Sequence, residues 1–358
     1  MRIAINTGGG DAPGLNAAIR SATLAALKRG WEVFGIKNGY GSIYTDTPFI
    51  KMTEESVRGI TLLGGTILGT ANKGNPFEMP CRQEDGSMGL KDVSDHLVKK
   101  FDEYNIDALV AIGGDGSMHI AHKLTKKGIK IVGVPKTIDN DLWGCDVTLG
   151  FDTARSIATE AIDRITTTAE SHERLMVVEV MGRYAGWIAL YSGLASTADV
   201  ILIPEIPFTY EAIIEKIEER KSKGKNYTMI VVAEGAKVKG GDIVTKGKTL
   251  GQQEQLGGIA SQVATELTER TGQESRSVVL GHLQRGGSPT TYDRLISMRY
   301  GASAIRCVEN GDFNELVVLQ DNKLTTIPLS EVAGKMKYVP LDSDIVQTAR
   351  DVGICLGD

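Results

Sequence analysis

Three times within its first 141 residues the chain passes from a short apolar run directly into a turn rich in glycine or aspartate. Arg2–Asn6 (RIAIN) leads into Thr7–Gly14 (TGGGDAPG), Ala108–Ile112 (ALVAI) into Gly113–Ser117 (GGDGS), and Ile129–Val134 (IKIVGV) into Pro135–Asp141 (PKTIDND). Further apolar runs occupy Met176–Val180, Val200–Ile203, Met229–Ala233 and Ser277–Leu280, and helical patterns lie between them, as at Leu15–Leu27 and Tyr210–Lys221. Apolarity that is continuous rather than alternating predicts parallel strands covered on both faces. The expected fold class is therefore α/β with mainly parallel sheets. In such sheets ligands gather at the carboxyl ends of the strands, which is where these turns fall.

At 358 residues the chain has the length of two domains at roughly 150 residues each. Its 41% hydrophobic and 24% charged residues exclude a disordered or collagenous protein. Glycine stands out with 42 residues, about 12% against an average near 7%. With only 10 prolines, these glycines mark tight turns and ligand-hugging loops rather than linkers. A net charge of −5 gives no sign of a nucleic-acid binder. Cys81, Cys145, Cys307 and Cys355 stand far apart, with neither a CxxC nor a Cys/His cluster, so no zinc site or disulfide framework is indicated. The opening MRIAINTGGG is no secretory leader, and no apolar run approaches the ~20 residues of a membrane span, so a soluble, cytoplasmic protein is expected. The charge-rich stretch Glu215–Lys225 reads as a solvated helix face, and residues 237–256, polar and Gly-rich, as a mobile excursion.

The three turns suit phosphate chemistry. Glycines after the first strand let backbone N–H groups face a phosphate, and the helix that follows adds its dipole. This is not the dinucleotide fingerprint, because Pro13 occupies the third glycine position. In the second turn Asp115 sits between glycines and can hold Mg²⁺ directly or through water. Gly240–Thr249 (GGDIVTKGKT) imitates a P-loop but fails on spacing and lacks a preceding strand. The third turn places Asp139 and Asp141 two residues apart beside Lys136 and Thr137. A hydroxyl attacking phosphorus must lose its proton, which a carboxylate can accept, and a second carboxylate can help hold the metal that shields phosphate charge. Alone, DND is an Asx-rich turn; three such turns after three strands point to a site.

Arg174, Arg183, Arg276 and Arg285 each stand beside a strand end or glycine turn, with His282 nearby, and arginine is the bidentate ligand of phosphate. A single such arginine is ordinarily a surface residue, and His282 alone an ordinary loop histidine.

TGGGDAPGLNAAIR, GGDGS, PKTIDND, VVEVMGRYAG, VVAEGA and GHLQRGGSPTTYDR, in this order over nearly the whole chain, closely resemble the 6-phosphofructokinase family. The resemblance implies phosphoryl transfer to the 1-hydroxyl of fructose 6-phosphate. It implies two three-layer α/β domains: 1–150 with about 263–315 binding the donor, and 151–262 with about 316–358 binding the sugar phosphate. By resemblance, Asp139 is the base, Thr137 positions sugar and transferring group, and Asp115 and Asp141 serve Mg²⁺. Gly10, Lys73, Gly114, Gly116, Ser117 and Lys136 line the donor. Met181, Gly182, Arg183, Glu234, His282 and Arg285 bind the sugar phosphate, Arg183 also lying near the transition-state charge. In the family, Arg174 and Arg276 reach the sugar phosphate of a neighbouring subunit, so a homodimer or homotetramer is implied.

The family divides between ATP and pyrophosphate as donor. Pyrophosphate users typically carry Asp where this chain has Gly116 and Lys where it has Lys136. A carboxylate at 116 would crowd and repel the α-phosphate of a nucleotide, whereas Gly leaves room, so ATP is the expected donor and pyrophosphate the alternative. Two positions depart from the ATP pattern: Asn72 replaces a bridging arginine, beside Lys73, and Ile120 a small residue. At the effector site of regulated bacterial members Arg20 matches, but Leu24, Glu54 and Thr166 replace cations, which implies weak or absent control by ADP and phosphoenolpyruvate. A silent nucleotide or sugar-phosphate sensor would have no use for Asp139, and a lipid or NAD kinase, suggested by GGDG alone, leaves PKTIDND and QRGG unexplained.

Overall fold

Beyond Arg2 the first segment has no charged residue, so a strand built from it must be covered on both faces, and β1 (Arg2–Thr7) is buried from Ile3 onward in the computed structural model. The structure describes residues 1–45, 48–71, 74–82, 86–247 and 254–358. In chain order, β1 is followed by α1 (Leu15–Leu27), β2 (Glu32–Ile36), β3 (Phe49–Met52), β4 (Met79–Arg82), β5 (Met88–Lys91), α2 (Ser94–Glu103), β6 (Ala108–Gly113), α3 (Asp115–Thr125) and β7 (Ile131–Pro135). Then come α4 (Phe151–Ser171), β8 (Leu175–Val180), α5 (Trp187–Ala195), β9 (Val200–Leu202), α6 (Tyr210–Ser222), β10 (Thr228–Ala233), β11 (Thr245–Gly247), β12 (Gln255–Leu256) and α7 (Ile259–Thr271). The last elements are β13 (Ser275–Val279), α8 (Thr291–Asn310), β14 (Glu315–Gln320), β15 (Lys323–Pro328), α9 (Leu329–Val332) and α10 (Asp344–Asp351).

A seven-stranded sheet runs β15-β14-β7-β6-β1-β2-β3, parallel except for its outer strands β15 and β3, and a four-stranded parallel sheet runs β13-β8-β10-β9. The expected α/β class with mainly parallel sheets is what the chain adopts. The segment read as an excursion carries β11 and β12, which pair antiparallel, and residues 248–253 of it lie outside the described residues.

The expected domain boundaries cut across these sheets. β13, assigned to the donor half, belongs to the smaller sheet, whereas β14 and β15, beyond residue 315, extend the larger one through Glu315↔Val132 and Leu316↔Gly133. The reason is physical: an apolar run specifies a strand, but the sheet it joins depends on which edge is open when the chain returns.

β8 shows how both faces of the smaller sheet are covered. Met176, Val178 and Val180 join the large core cluster with Ala158, Ile162 and Ile188, and the alternate residues Leu175 and Val177 join a second cluster with Ile213, Val263 and Leu267. Helices α4 and α5 thus cover one face and α6 and α7 the other, as period-two side-chain alternation requires. The N-terminus of α4 is fixed by the fully buried Asp293 of α8. Its carboxylate accepts the N–H groups of Gly150 and Thr153 at 2.9 and 2.7 Å and the Thr153 hydroxyl at 2.6 Å.

Candidate active site

Strands β1, β6 and β7 are neighbours in the larger sheet, in register Thr7↔Ile112 and Gly113↔Pro135, so their three turns emerge side by side from one edge. Backbone bonds knit them together: the Gly8 N–H donates to the Ile112 carbonyl, and the Lys136 N–H to that of Gly113, both at 2.9 Å. Asp115 and Gly116 open α3 immediately after β6.

Lys136 is almost wholly buried and its ammonium donates to the Gly10 carbonyl oxygen at 2.6 Å, bridging the first and third turns. Burial, with the Arg285 guanidinium nearby, brings its pKa down to about 8, against the opposing pull of Asp139, Asp11 and Asp141. Arg285 itself donates to the Asp11 carbonyl at 3.0 Å and lies over Gly10, where a Cβ would stand 2.8 Å from Nη1. A side chain at residue 10 would therefore have to displace the Arg285 guanidinium.

Thr137, Asp139, Asn140 and Asp141 are all buried. The turn holds its shape through local bonds: the Asp139 N–H donates to Thr137 Oγ1 at 3.1 Å, and that hydroxyl donates to Asp139 Oδ2 at 3.4 Å. Asn140 takes the left-handed conformation with φ 54°, and its Oδ1 accepts the Thr148 N–H at 3.0 Å. Asp139 Oδ1 and Asp115 Oδ1 are buried oxygens without a hydrogen-bond partner. Burial and the neighbouring Asp139 carboxylate push the Asp141 carboxyl well above the ordinary range, with Asp115 adding to the effect. Burial raises Asp115 as well. Among the described residues no set of three His, Cys, Asp or Glu side chains is grouped to hold a metal. Two carboxylates leaving positions for water and phosphate oxygens are the donor set suited to Mg²⁺.

The opposite wall comes from the smaller sheet. Glu234 follows β10, its Oε1 accepts the Arg183 N–H at 3.1 Å, and burial followed by repulsion from Asp139 raises its pKa. Asp139 and Glu234, which follow strands of different sheets, are thus near enough to repel one another. Arg183 has φ 51°, and Gly182 φ 139°, so the turn after β8 is left-handed over two residues. The Met181 N–H before it donates to Oε1 of the fully buried Gln284 at 3.3 Å.

Most of the expected site residues therefore converge: Gly10, Gly114, Asp115, Gly116, Ser117, Lys136, Thr137, Asp139 and Asp141 on one wall, and Met181, Gly182, Arg183 and Glu234 on the other, with Arg285 reaching Gly10. His282 is exposed on the 3-10 turn that carries Arg285. Lys73 and Asn72 lie outside the described residues. Arg174 and Arg276 do not join this cluster. Both bind Glu274, Arg174 Nε at 2.7 Å and Arg276 through Nη2. They flank the amino ends of β8 and β13, where Arg276 pairs with Met176, whereas Arg183 follows the carboxyl end of β8. At about 3.3 Å per residue, Arg174 lies about 20 Å and Arg276, level with Met176, about 13 Å from the carboxyl end of β8 that leads to the Arg183 turn. Gln284 and Asp11, quoted in the motifs without a role, are the site residues that sequence reasoning left unassigned; their polar character within a glycine turn was the available signal.

A family model described as phosphofructokinase matches residues 2–308. The chain is 49% identical to the "ATP-dependent 6-phosphofructokinase 2" of Clostridium perfringens over 100% of its own length and 98% of the relative. It is 48% identical to the "ATP-dependent 6-phosphofructokinase" of Chloroflexus aggregans, with 100% and 98% covered. It is also 48% identical to the "Pyrophosphate--fructose 6-phosphate 1-phosphotransferase" of Amycolatopsis methanolica, with 95% and 96% covered. Among solved structures, the Pichia pastoris phosphofructokinase in the T-state matches with TM-score 0.80 and 33% identity over 92% of this chain, which spans 35% of that longer chain. Turns, walls and relatives agree, and the chain belongs to the phosphofructokinase family.

Proposed function

We propose that the protein transfers the γ-phosphoryl group of MgATP to the 1-hydroxyl of D-fructose 6-phosphate, giving fructose 1,6-bisphosphate and ADP, the committed step of glycolysis in the cytoplasm. The observation that carries this reading is the Asp139 carboxylate. It is 4% exposed, one oxygen is unpartnered, and it lies between the glycine turns and the Arg183 wall.

Asp139 accepts the proton of the attacking hydroxyl as its oxygen bonds to phosphorus, and the bond to the leaving ADP oxygen breaks. Thr137 orients sugar and phosphoryl. Gly10, Gly114, Gly116 and Ser117 present backbone and hydroxyl donors to the donor phosphates, with Lys136 as a buried cation beside them and Lys73 as a further cation. Arg183 neutralises charge that develops on the transferring group. Asp115 and Asp141 would hold Mg²⁺, which supplies charge neutralisation on the phosphates. Met181, Gly182, Glu234, His282 and Arg285 would contact the sugar phosphate. The displacement of Arg174 and Arg276 to the far end of β8 supports their acting in a neighbouring copy's site, hence a homodimer or homotetramer.

Relatives of equal identity are named for ATP and for pyrophosphate, so the donor reading rests on residue 116. Gly116 is exposed at the start of α3 and brings no side chain or charge against an α-phosphate. The buried Lys136 favours pyrophosphate as the second reading. Turnover of fructose 6-phosphate with each donor decides between them. Asp139→Asn should lower kcat about 10²–10⁴-fold with either donor; full activity in that variant would overturn the assignment of the base.

A further inference from the structure

The segment joining α9 to α10 crosses from one wall of the site to the other. On the side of the larger sheet, the Gly334 backbone lies near the Asp115 carboxylate and opposes the rise that burial gives its pKa. Met336 forms an antiparallel bridge with Leu142, and the Lys337 N–H donates to the Asp141 carbonyl oxygen at 2.8 Å. The Lys337 ammonium donates to the carbonyls of Cys145 and Asp146 at 2.7 and 2.9 Å. The segment is therefore pinned to the third turn and the residues that follow it, and it passes near Asp115.

On the side of the smaller sheet, the Trp187 indole N–H donates to the Lys337 carbonyl at 2.9 Å, and the Lys337 ammonium lies 5.0 Å from the centre of that ring. Two residues on, the Val339 N–H donates to Glu205 Oε1 at 2.9 Å. The same carboxylate takes the Gly186 N–H at 3.0 and 3.1 Å, and Gly186 begins α5 three residues after Arg183. Glu205 makes no ion pair among the described residues, and burial raises its pKa against the N–H bonds that hold its charge. A carboxylate kept in that position without a cation serves the N–H groups of two separate segments.

We propose that Gly334–Val339 is a strap that sets the separation between the acid-bearing turns and the Arg183 turn, with Glu205 and Trp187 as the positioning residues that latch it. The two turns rise from different sheets, and among the described residues no strand ladder joins those sheets. Hydrogen bonds at both ends of the strap turn their separation into a fixed length. The role rests on the phosphoryl-transfer reading above, in which acids and arginine act on one group from opposite sides. A displacement near 1 Å at such a site can cost about 10²-fold in rate.

The test compares wild type, Glu205→Ala, Glu205→Gln and Trp187→Phe in steady-state turnover of fructose 6-phosphate with MgATP and with pyrophosphate. Melting temperature and amide exchange at Lys337 and Val339 are measured on the same samples. Glu205→Ala should lower kcat about tenfold or more, with each KM within about twofold, and should speed exchange at Val339. Glu205→Gln should restore most of the rate, because one amide oxygen can accept both N–H groups. Trp187→Phe keeps the aromatic packing, removes one latch, and should lower kcat about threefold. Wild-type kcat in folded Glu205→Ala and Trp187→Phe would overturn the strap alone. Should Glu205→Ala fail to fold, an unchanged kcat in Trp187→Phe overturns it. A wild-type protein that turns over fructose 6-phosphate with neither donor overturns the reading of function, and the strap's role with it.

Discussion

Gly235 lies directly beneath the carbonyl of Arg183: a Cβ added to it would stand 1.8 Å from that oxygen. The neighbour is backbone, so nothing flexible can move aside, and Arg183 already holds a left-handed φ of 51°. Gly235→Ala should therefore shift the Arg183 turn and cost about 10²-fold in kcat, with little loss of donor affinity, because the three turns of the larger sheet are untouched. Separate measurement of kcat and of each KM checks this.

Gly116→Asp should convert the donor preference. The new carboxylate would stand at the start of α3, where it repels a nucleotide α-phosphate but leaves a pyrophosphate free to sit against Lys136. The expected outcome is a rise in the KM for ATP of about tenfold or more, with activity on pyrophosphate kept or gained. A variant that keeps its preference for ATP would show that Lys136 and the neighbourhood of Ile120 outweigh residue 116.

Arg276→Ala and Asp139→Asn should each be nearly inactive alone, yet recover activity on mixing and reassociation. The arginine lies about 13 Å from the end of its own chain's β8, away from the Arg183 turn, so each variant would lend the other a complete site. Up to about a quarter of the sites could be restored if subunits pair at random, as the symmetry of a two-fold interface allows. Activity that stays absent after reassociation would place Arg276 outside the site.

Asp293→Asn should destabilise the protein by about 2–3 kcal/mol, because an amide cannot replace two oxygens that accept from Gly150 and Thr153. Burial raises the Asp293 pKa to about 6 in the folded chain, above its ordinary 3.8. A raised folded pKa adds stability below the unfolded value that is lost as pH rises through the folded one. The wild type should therefore lose part of its stability between about pH 4 and 6, and the variant should lack that slope. Melting curves across this range test it.

The α/β class and the turns that carry the candidate site were legible in the sequence, the strand order was not, and particular residues show why. The turns at Gly113–Ser117 and Pro135–Asp141 carry their chemistry in consecutive residues, so order along the chain nearly equals proximity in space. ELVVLQ of β14 is not among the apolar runs read as strands, and its pairing with β7 reaches back to Val132, a partner that nothing local encodes. β2 and β3 were missed for a related reason: each is short, and Gly35 or Lys51 breaks its apolar run. The strap was invisible for another: Gly334, Lys337 and Val339 act through backbone N–H groups, which every residue but proline has. The position of Arg174 and Arg276 followed from the strand they flank and from no property of arginine.

The larger sheet has its own consequence for how the protein is made. Its β14 and β15 come after every strand of the smaller sheet, so β7 remains a bare edge until β14, Glu315–Gln320, has been synthesised. Until then the half bearing the three turns presents unpaired N–H and C=O groups along Ile131–Pro135, a surface that invites pairing with other nascent chains. The strands of the smaller sheet are all made by Val279, whereas the larger sheet cannot be completed until the chain returns to it. A ribosome that stalls before Glu315 releases not a smaller working protein but a sheet waiting for its last two strands.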